Sequence, residues 1–366
     1  MITMSLVWPF AIAVLLAVLT MPIAIAMRPR AISALGIQDV HVAPTSRLGG
    51  AIVFLAYVGG VGAAISVGLV TSRPSIALIM CAIPVVGAGL WEDITRRLAP
   101  RYRLIAAICA ALLASLIANG VTARLDIPYV DGWLIAFPIL AIALTCFMAA
   151  GACNAINIID GAHGLASGTA LMMFAGIAAI AFHVDDQLVL MQAVAMIGAL
   201  AGFIAWNYPK GRIFLGDGGA YLIGFIYAEL SIQIVARNAH VSAWLVIMLA
   251  AYPIVETIFS MYRRMVLLRK PSMEPDLLHL HSLVYSVVAL PSARARSTEI
   301  EAANARVAPV LWLHGLCCLV AAIVFHDNTT ALLIAIASYC VIYAVHYRSL
   351  WKGRLDNDSD AGLATT

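Results

Sequence analysis

The charges of this chain are confined to the gaps between long apolar runs, and that arrangement leaves few folds open. Eleven runs can be drawn, at 5–27, 49–70, 75–91, 104–119, 133–150, 165–183, 188–206, 218–236, 242–262, 308–325 and 330–347. Each approaches the ~20 residues that a helix needs to cross a ~30 Å hydrocarbon core. All but three of the 22 Lys and Arg fall in alternate gaps, namely 28–48, 92–103, 207–217, 263–307 and 348–366. The exceptions, Arg73, Arg124 and Arg237, lie in the opposite gaps. Positive charge marks cytoplasmic loops. The expectation is therefore an all-α polytopic membrane protein of about 11 transmembrane helices, with its N-terminus periplasmic and its C-terminus cytoplasmic.

Composition supports this independently. The chain is 63% hydrophobic and 11% charged, against about 45–50% and 25% in soluble proteins. No basic residue precedes the first run, which ends at Met27-Arg28-Pro29-Arg30 and reads as a retained anchor, not a cleaved signal. The net charge of +3 fits loops facing anionic headgroups and carries no nucleic-acid footprint. The seven cysteines lack metal-ligand spacing and read as small buried apolar residues. Residues 1–350 form one membrane domain in this reading, and 351–366, rich in Asp, Gly, Ala and Thr, a disordered cytoplasmic tail.

The outer gaps are short, so any chemistry belongs at the cytoplasmic face, where five segments are unusual. His41-Val42-Ala43-Pro44-Thr45-Ser46-Arg47-Leu48-Gly49-Gly50 joins a tight backbone to two phosphate-binding side chains, His41 and Arg47. In Trp91–Arg103 the adjacent Glu92 and Asp93 precede four Arg; this is either a solvated basic loop or a general base or metal-ligand pair beside an anion site. Asn154, Asn157 and Asp160 fall near one face of a helical turn that Gly161 and Gly164 then break. Such a polar face is costly in a membrane unless it binds something. In Arg212–Ala220, Asp217 sits among glycines at a helix start, as an N-cap or as a ligand to a hard cation. In Arg269–His281, His279 and His281 suit phosphate better than zinc, since no Cys or third His is near enough to complete a zinc set. Glu229 and Glu256 lie inside runs, Glu256 about one and a half turns from the cytoplasmic end, where it can support a site.

Glu92, Asp93, Asp160 and Asp217 occupy three inner loops and can meet only at that face. Carboxylates crowded at a low-dielectric boundary repel unless neutralised. A divalent cation supplies that neutralisation, and all-oxygen ligands favour Mg²⁺. His41, Arg47, Arg101, His279 and His281 around them suit a ligand with several phosphates. Together these features indicate phosphoryl transfer onto a lipid.

At these residues the chain resembles the polyprenyl-phosphate N-acetylhexosamine-1-phosphate transferases. Asn154–Leu165 is similar to that family's N-x-x-N-x-x-D-G-x-[DN]-G-L motif, and Phe214–Gly219 to its G-D-x-G segment. His41–Gly50 resembles its H-x-x-P-T-P-R-x-G-G entry, and His279-Leu280-His281 its inner His loop. Pro253–Thr257 before Arg263-Arg264 is also similar, so the resemblance runs from about residue 28 to 290. It implies transfer of a sugar 1-phosphate from a UDP-N-acetylhexosamine to undecaprenyl phosphate, with release of UMP and a requirement for Mg²⁺. By this resemblance Asn157 and Asp217 hold the metal, Phe214 stacks on uracil, and His163 lies beside the base. Arg101, His279 and His281 hold the diphosphate. Glu92 and Asp93 match an Asp-Asp pair that deprotonates or positions the lipid phosphate, and Asp160 is the other catalytic carboxylate. His41, Arg47 and Asn154 complete the substrate-binding set.

Two residues depart from the family pattern, Glu92 for the first Asp and His163 for an Asp or Asn. The His-x-His loop lacks the longer His run of the muramyl-pentapeptide branch, which favours a branch that starts an O-antigen-like surface polysaccharide at the cell inner membrane. Membrane lipid is a partner, nucleic acid is not, and a second copy of the chain (a homodimer) is an admissible one. The competing readings are a transporter, which would spread polar residues through the bilayer midplane, and a catalytically silent scaffold prompted by Glu92 and His163.

Overall fold

A computed structural model describes residues 2–27, 45–118, 120–267, 269, 278–289 and 297–363, without the side chains of 2–5, 267, 289, 297, 298, 301 and 356–363. The described residues are mostly helical and include no strand. The helices are α1 (Ile2–Ala26), α2 (Gly49–Ser66), α3 (Ser72–Thr95), α4 (Pro100–Ile117), α5 (Val130–Ala136), α6 (Pro138–Ile159) and α7 (Leu165–His183). They continue as α8 (Gln187–Asn207), α9 (Gly216–Arg237), α10 (Trp244–Leu249), α11 (Ala251–Tyr262), α12 (Leu280–Val284), α13 (Ser297–Val324) and α14 (Thr329–Leu363). Ten of them are long and apolar enough to cross a membrane: α1–α4, α6–α9, α13 and α14.

The eleventh expected span, 242–262, is two helices. It breaks at Ala250, whose φ of −98° and ψ of 15° leave helical geometry. Pro253 explains the position, because it cannot donate to the carbonyl four residues back and is tolerated in the first turn of a new helix. At the other end, α14 continues to Leu363, through most of the segment expected to be a disordered tail.

Helix α9 is the hub. Nearly every residue of it is buried, and it packs against α3, α6 and α2. Such enclosure needs close approach at its N-terminus, and two glycine contacts supply it. A Cβ on Gly50 of α2 would collide with the backbone of Gly219, and one on Gly89 of α3 with that of Gly218. Small residues at helix crossings let backbones meet, and within a membrane this packing drives helix association. A second layer of α1, α7 and α8 wraps the hub, with α13 against α7 and α10 against α13 and α14.

Candidate active site

Four of the unusual inner segments converge at the N-terminus of α9. Backbone hydrogen bonds join the Arg47 segment to the loop before α9: Phe214 N–H donates to Ser46 O at 2.9 Å, Gly49 N–H to Phe214 O at 3.1 Å, and Gly50 N–H to Leu215 O at 2.9 Å. Asp93, four residues beyond Gly89 on α3, accepts from the backbone N–H groups of Asp217 and Gly218, each at 2.9 Å. It thereby caps α9, whose own N-cap residue Leu215 offers no side-chain bond. An anion at this end also meets the positive end of the helix dipole.

On α9 itself, Asp217 Oδ1 accepts from Asn157 Nδ2 at 2.8 Å, and its Oδ2 forms an ion pair with Arg103 of α4. Asn154, Asn157 and Asp160 line one cavity of about 1500 Å³ together with Arg47, Arg103, His163, Phe214, Asp217, His279 and His281. Asp160 closes the C-terminus of α6. Burial pushes its carboxyl up to about 7, against the opposing pull of Arg47. His281 sits directly over Gly161, where a Cβ would collide with its ring. The rings of His279 and His281 stack with centroids 5.4 Å apart. Behind them the fully buried Glu256 accepts from His279 Nδ1 at 2.9 Å, in the supporting place expected of it.

Phe214 and His163 are also paired, with ring centroids 6.0 Å apart and planes at 30°. His163 is 97% enclosed, being 3% exposed. Its backbone N–H donates to Asn304 Oδ1 at 2.7 Å and its Nδ1 meets Pro209 O at 3.0 Å, which assigns the proton to Nδ1. His163 therefore backs the Phe214 ring and pins the loop after α8. Asn207 braces the same loop: its Nδ2 donates to Ile213 O at 2.7 Å, and its Oδ1 accepts from Gly164 N–H at 2.6 Å.

The structure does not bring every expected residue to the cavity. His41 lies outside the described residues. Glu92 turns back on its own helix end, where Oε2 accepts from Leu98 N–H at 2.6 Å. Arg101 is exposed, with its guanidinium 5.0 Å from the ring of Tyr102. Positions two apart on a helix face opposite sides, so only one of Arg101 and Arg103 can point inward, and it is Arg103. The sequence carried a signal for this: Arg103 continues the stripe Ala107, Ala110 and Ala114, all buried, whereas Arg101 aligns with the exposed Ile105 and Leu112. Arg264 and Arg354 also line the cavity and were assigned no role from the sequence.

Asp217 and Asn157 form a donor set of one carboxylate and one amide with Asp160 near by. Among the described residues no group of three or more His, Cys, Asp or Glu could hold a metal. This donor set fits Mg²⁺, which keeps waters and shares phosphate oxygens, and does not fit a closed zinc cage. Away from the polar cluster the same cavity becomes a groove of Ile108, Phe147, Ile232, Ile247, Ile254 and Ile258 between α4, α6, α9 and the broken α10–α11 pair.

Residues 75–235 match the family model described as glycosyl transferase family 4. A probable undecaprenyl-phosphate N-acetylglucosaminyl 1-phosphate transferase of Bacillus subtilis (strain 168) is 27% identical over 283 residues, which is 74% of this chain and 75% of that protein. A decaprenyl-phosphate N-acetylglucosaminephosphotransferase of Mycobacterium tuberculosis (strain ATCC 25618 / H37Rv) is 30% identical over 271 residues, 67% of this chain and 66% of that one. A phospho-N-acetylmuramoyl-pentapeptide-transferase of Oceanobacillus iheyensis is 38% identical over 102 residues, 28% of this chain and 29% of its own length. The matched stretch takes in Asp93, the Asn154–Asp160 face and Asp217, the residues that converge on α9, and the chain belongs to glycosyl transferase family 4.

Proposed function

We propose that this protein transfers an N-acetylhexosamine 1-phosphate from a UDP-sugar to undecaprenyl phosphate, releasing UMP and starting a lipid-linked surface polysaccharide. The observation that carries this reading is the continuity of one cavity from a phosphate-binding cluster into an apolar groove. The groove matches a polyprenyl chain lying in the bilayer, and the charge of the basic loops supports a polar end at the cytoplasmic face of an inner membrane. The relatives named for undecaprenyl- and decaprenyl-phosphate transferases support the same substrate classes.

In the reaction an oxygen of the lipid phosphate forms a bond to the β-phosphorus of the donor. The bond from that phosphorus to the bridging oxygen breaks, and UMP leaves with the bridging oxygen. Arg47 and Arg103 supply positive charge beside the reacting phosphates, and His279 with His281 holds the diphosphate from the side of Gly161. Phe214, backed by His163, offers a flat apolar surface to uracil. Asp160, with its carboxyl near 7, is suited to take the proton of a monoanionic acceptor phosphate at neutral pH. Asp93 holds the N-terminus of α9, and with it Asp217, in place. Asn157 and Asp217 would hold Mg²⁺, which supplies charge neutralisation to the diphosphate when bound.

The test uses membranes from expressing cells, undecaprenyl phosphate and a panel of UDP-N-acetylhexosamines, with UMP release followed with Mg²⁺ and with chelator. Release that needs the lipid, one donor and Mg²⁺ is the expected result. Folded protein that releases no UMP from any donor would refute the proposal and favour the silent-scaffold reading.

A further inference from the structure

The histidine pair is also held from α14, which lies outside both the family match at 75–235 and the sequence motifs. Glu256 of α11 is met by donors from three elements. Ser260 Oγ lies 3.2 Å from Oε1, His279 Nδ1 is 2.9 Å from the same oxygen, and Leu280 N–H is 3.3 Å from each oxygen. The remaining donor is Tyr343 of α14, whose O–H reaches Glu256 Oε2 at 2.7 Å. One turn further along α14, Tyr347 O–H donates to Leu278 O at 3.1 Å. Arg263 donates to both members of that pair, at 2.7 Å to Leu278 O and 2.8 Å to Tyr347 Oη. Tyr343 is fully buried against Phe259, and its ring is stacked on that of Tyr347. The segment that carries His279 and His281 is thus tied at two points to the last membrane helix.

We propose that Tyr343 is a positioning residue for donor binding, acting through Glu256 on His279. The inference rests on the reading of His279 and His281 as the diphosphate holders. A carboxylate that takes His279 Nδ1–H fixes which face of the imidazole, and which nitrogen, is turned to a ligand. A carboxyl group rotates easily about its last bond. With Tyr343 in place Oε2 is anchored and Oε1 stays on His279; without it, Oε2 keeps the longer Leu280 contact alone among the bonds described. Tyr347 does the equivalent for the backbone, holding Leu278 O and so the start of the turn that ends in His279. A tyrosine that only filled the core would contribute packing, which Phe reproduces; the hydroxyl contact to Glu256 is what Phe removes.

The experiment measures affinity for the same panel of UDP-N-acetylhexosamines by calorimetry for purified full-length wild type, Tyr343→Phe, His279→Ala and the double variant, each checked by melting temperature. Hydrogen bonds to charged groups lie above the neutral range, and Tyr343→Phe is expected to weaken binding about tenfold, or about 1.4 kcal/mol. In the His279→Ala background the same change is expected to cost less than about twofold, because residues acting through one another are non-additive. Unchanged affinity in Tyr343→Phe, or the same tenfold loss in both backgrounds, would overturn the inference. If Tyr343→Phe does not fold, Tyr347→Phe is read by the same cycle. Wild type that binds no donor removes the functional reading and this inference together, whereas wild type that binds while Tyr343→Phe matches it removes this inference alone.

Discussion

Arg103 and Arg101 are two residues apart on one helix, and their fates under substitution separate the structural assignment from the one the sequence favoured. The Arg103–Asp217 pair has side chains 13% and 16% exposed, so it is neither fully screened nor fully desolvated. At an effective dielectric constant of ~20, opposite charges 4 Å apart attract by about 4 kcal/mol. Desolvation of both ions offsets much of this, leaving a net ~1.5–3 kcal/mol, the usual worth of a charge-assisted hydrogen bond. A charge-assisted bond of the same worth from Arg103 to a reacting phosphate, gained only once substrate is bound, means that Arg103→Ala should lower kcat/KM by roughly 10- to 150-fold at 1.36 kcal/mol per decade. Arg101 faces outward onto Tyr102, and Arg101→Ala should change it less than about threefold, as for an exposed charge. UMP release at saturating lipid phosphate, with donor concentration varied, measures both. Equal losses in the two variants, or a larger loss in Arg101→Ala, would refute the placement of α4 around its axis and the inward role of Arg103 with it.

Asp217→Ala should abolish Mg²⁺-dependent UMP release while leaving the detergent-solubilised protein monodisperse, and retained activity would remove Asp217 from the metal assignment. Asp160 is held near 7, above the ordinary carboxylate range, so its protonated form favours the fold: that contribution is complete below about pH 4 and is lost as pH rises through 7. Melting of metal-free wild type should therefore fall relative to Asp160→Asn between pH 5 and 8, and parallel curves would contradict the raised value. Gly89→Ala places a methyl against the Gly218 backbone and should cost about 1–3 kcal/mol as overpacking. Gly87, where a Cβ meets nothing within 4 Å, serves as control, and equal melting shifts for Gly87→Ala and Gly89→Ala would refute the close contact.

Much of this architecture was legible because a membrane penalises exceptions so heavily. An unsatisfied backbone group or a stray charge in hydrocarbon costs several kcal/mol, so apolar run lengths and loop charges had to register the helices. Nine expected spans fall on single helices, and a tenth, 133–150, starts in α5 and continues past a break at Phe137 as the spanning helix α6. The eleventh yields no single helix, since Pro253 in the run 242–262 breaks the backbone while leaving hydropathy almost unchanged, and a window over composition is blind to that. Motif residues were legible for a related reason: Asn154, Asn157 and Asp160 occupy one helical face, and that face is the wall of the cavity. Arg103 was obscured because four arginines in one loop look alike until their register against Ala107, Ala110 and Ala114 is considered. Tyr343 and Tyr347 were hidden more deeply, because aromatic residues in an apolar helix are the commonest way to fill a core and nothing local announces a hydroxyl contact to Glu256.

Asp93 shows why a motif and its chemistry can separate. In sequence it is an acid beside the reacting phosphates, and its position suggests a base. In the structure both of its oxygens accept backbone N–H groups at the start of α9, the place where a helix most needs an anion. Gly50, Gly89, Gly218 and Gly219 bring three helices so close there that no longer side chain could reach in, and an aspartate from α3 is the cap that fits. The residues that it orders include Asp217, which in turn meets Arg103 and Asn157. Loss of Asp93 would therefore disturb the whole cluster even if it never touched a proton. Asp160 differs in kind: it closes its own helix and faces the cavity with a carboxyl raised by burial. What separates the two acids is where their oxygens point: both oxygens of Asp93 are taken by backbone N–H groups and hold the others still, while Asp160 lines the cavity where a proton could be exchanged.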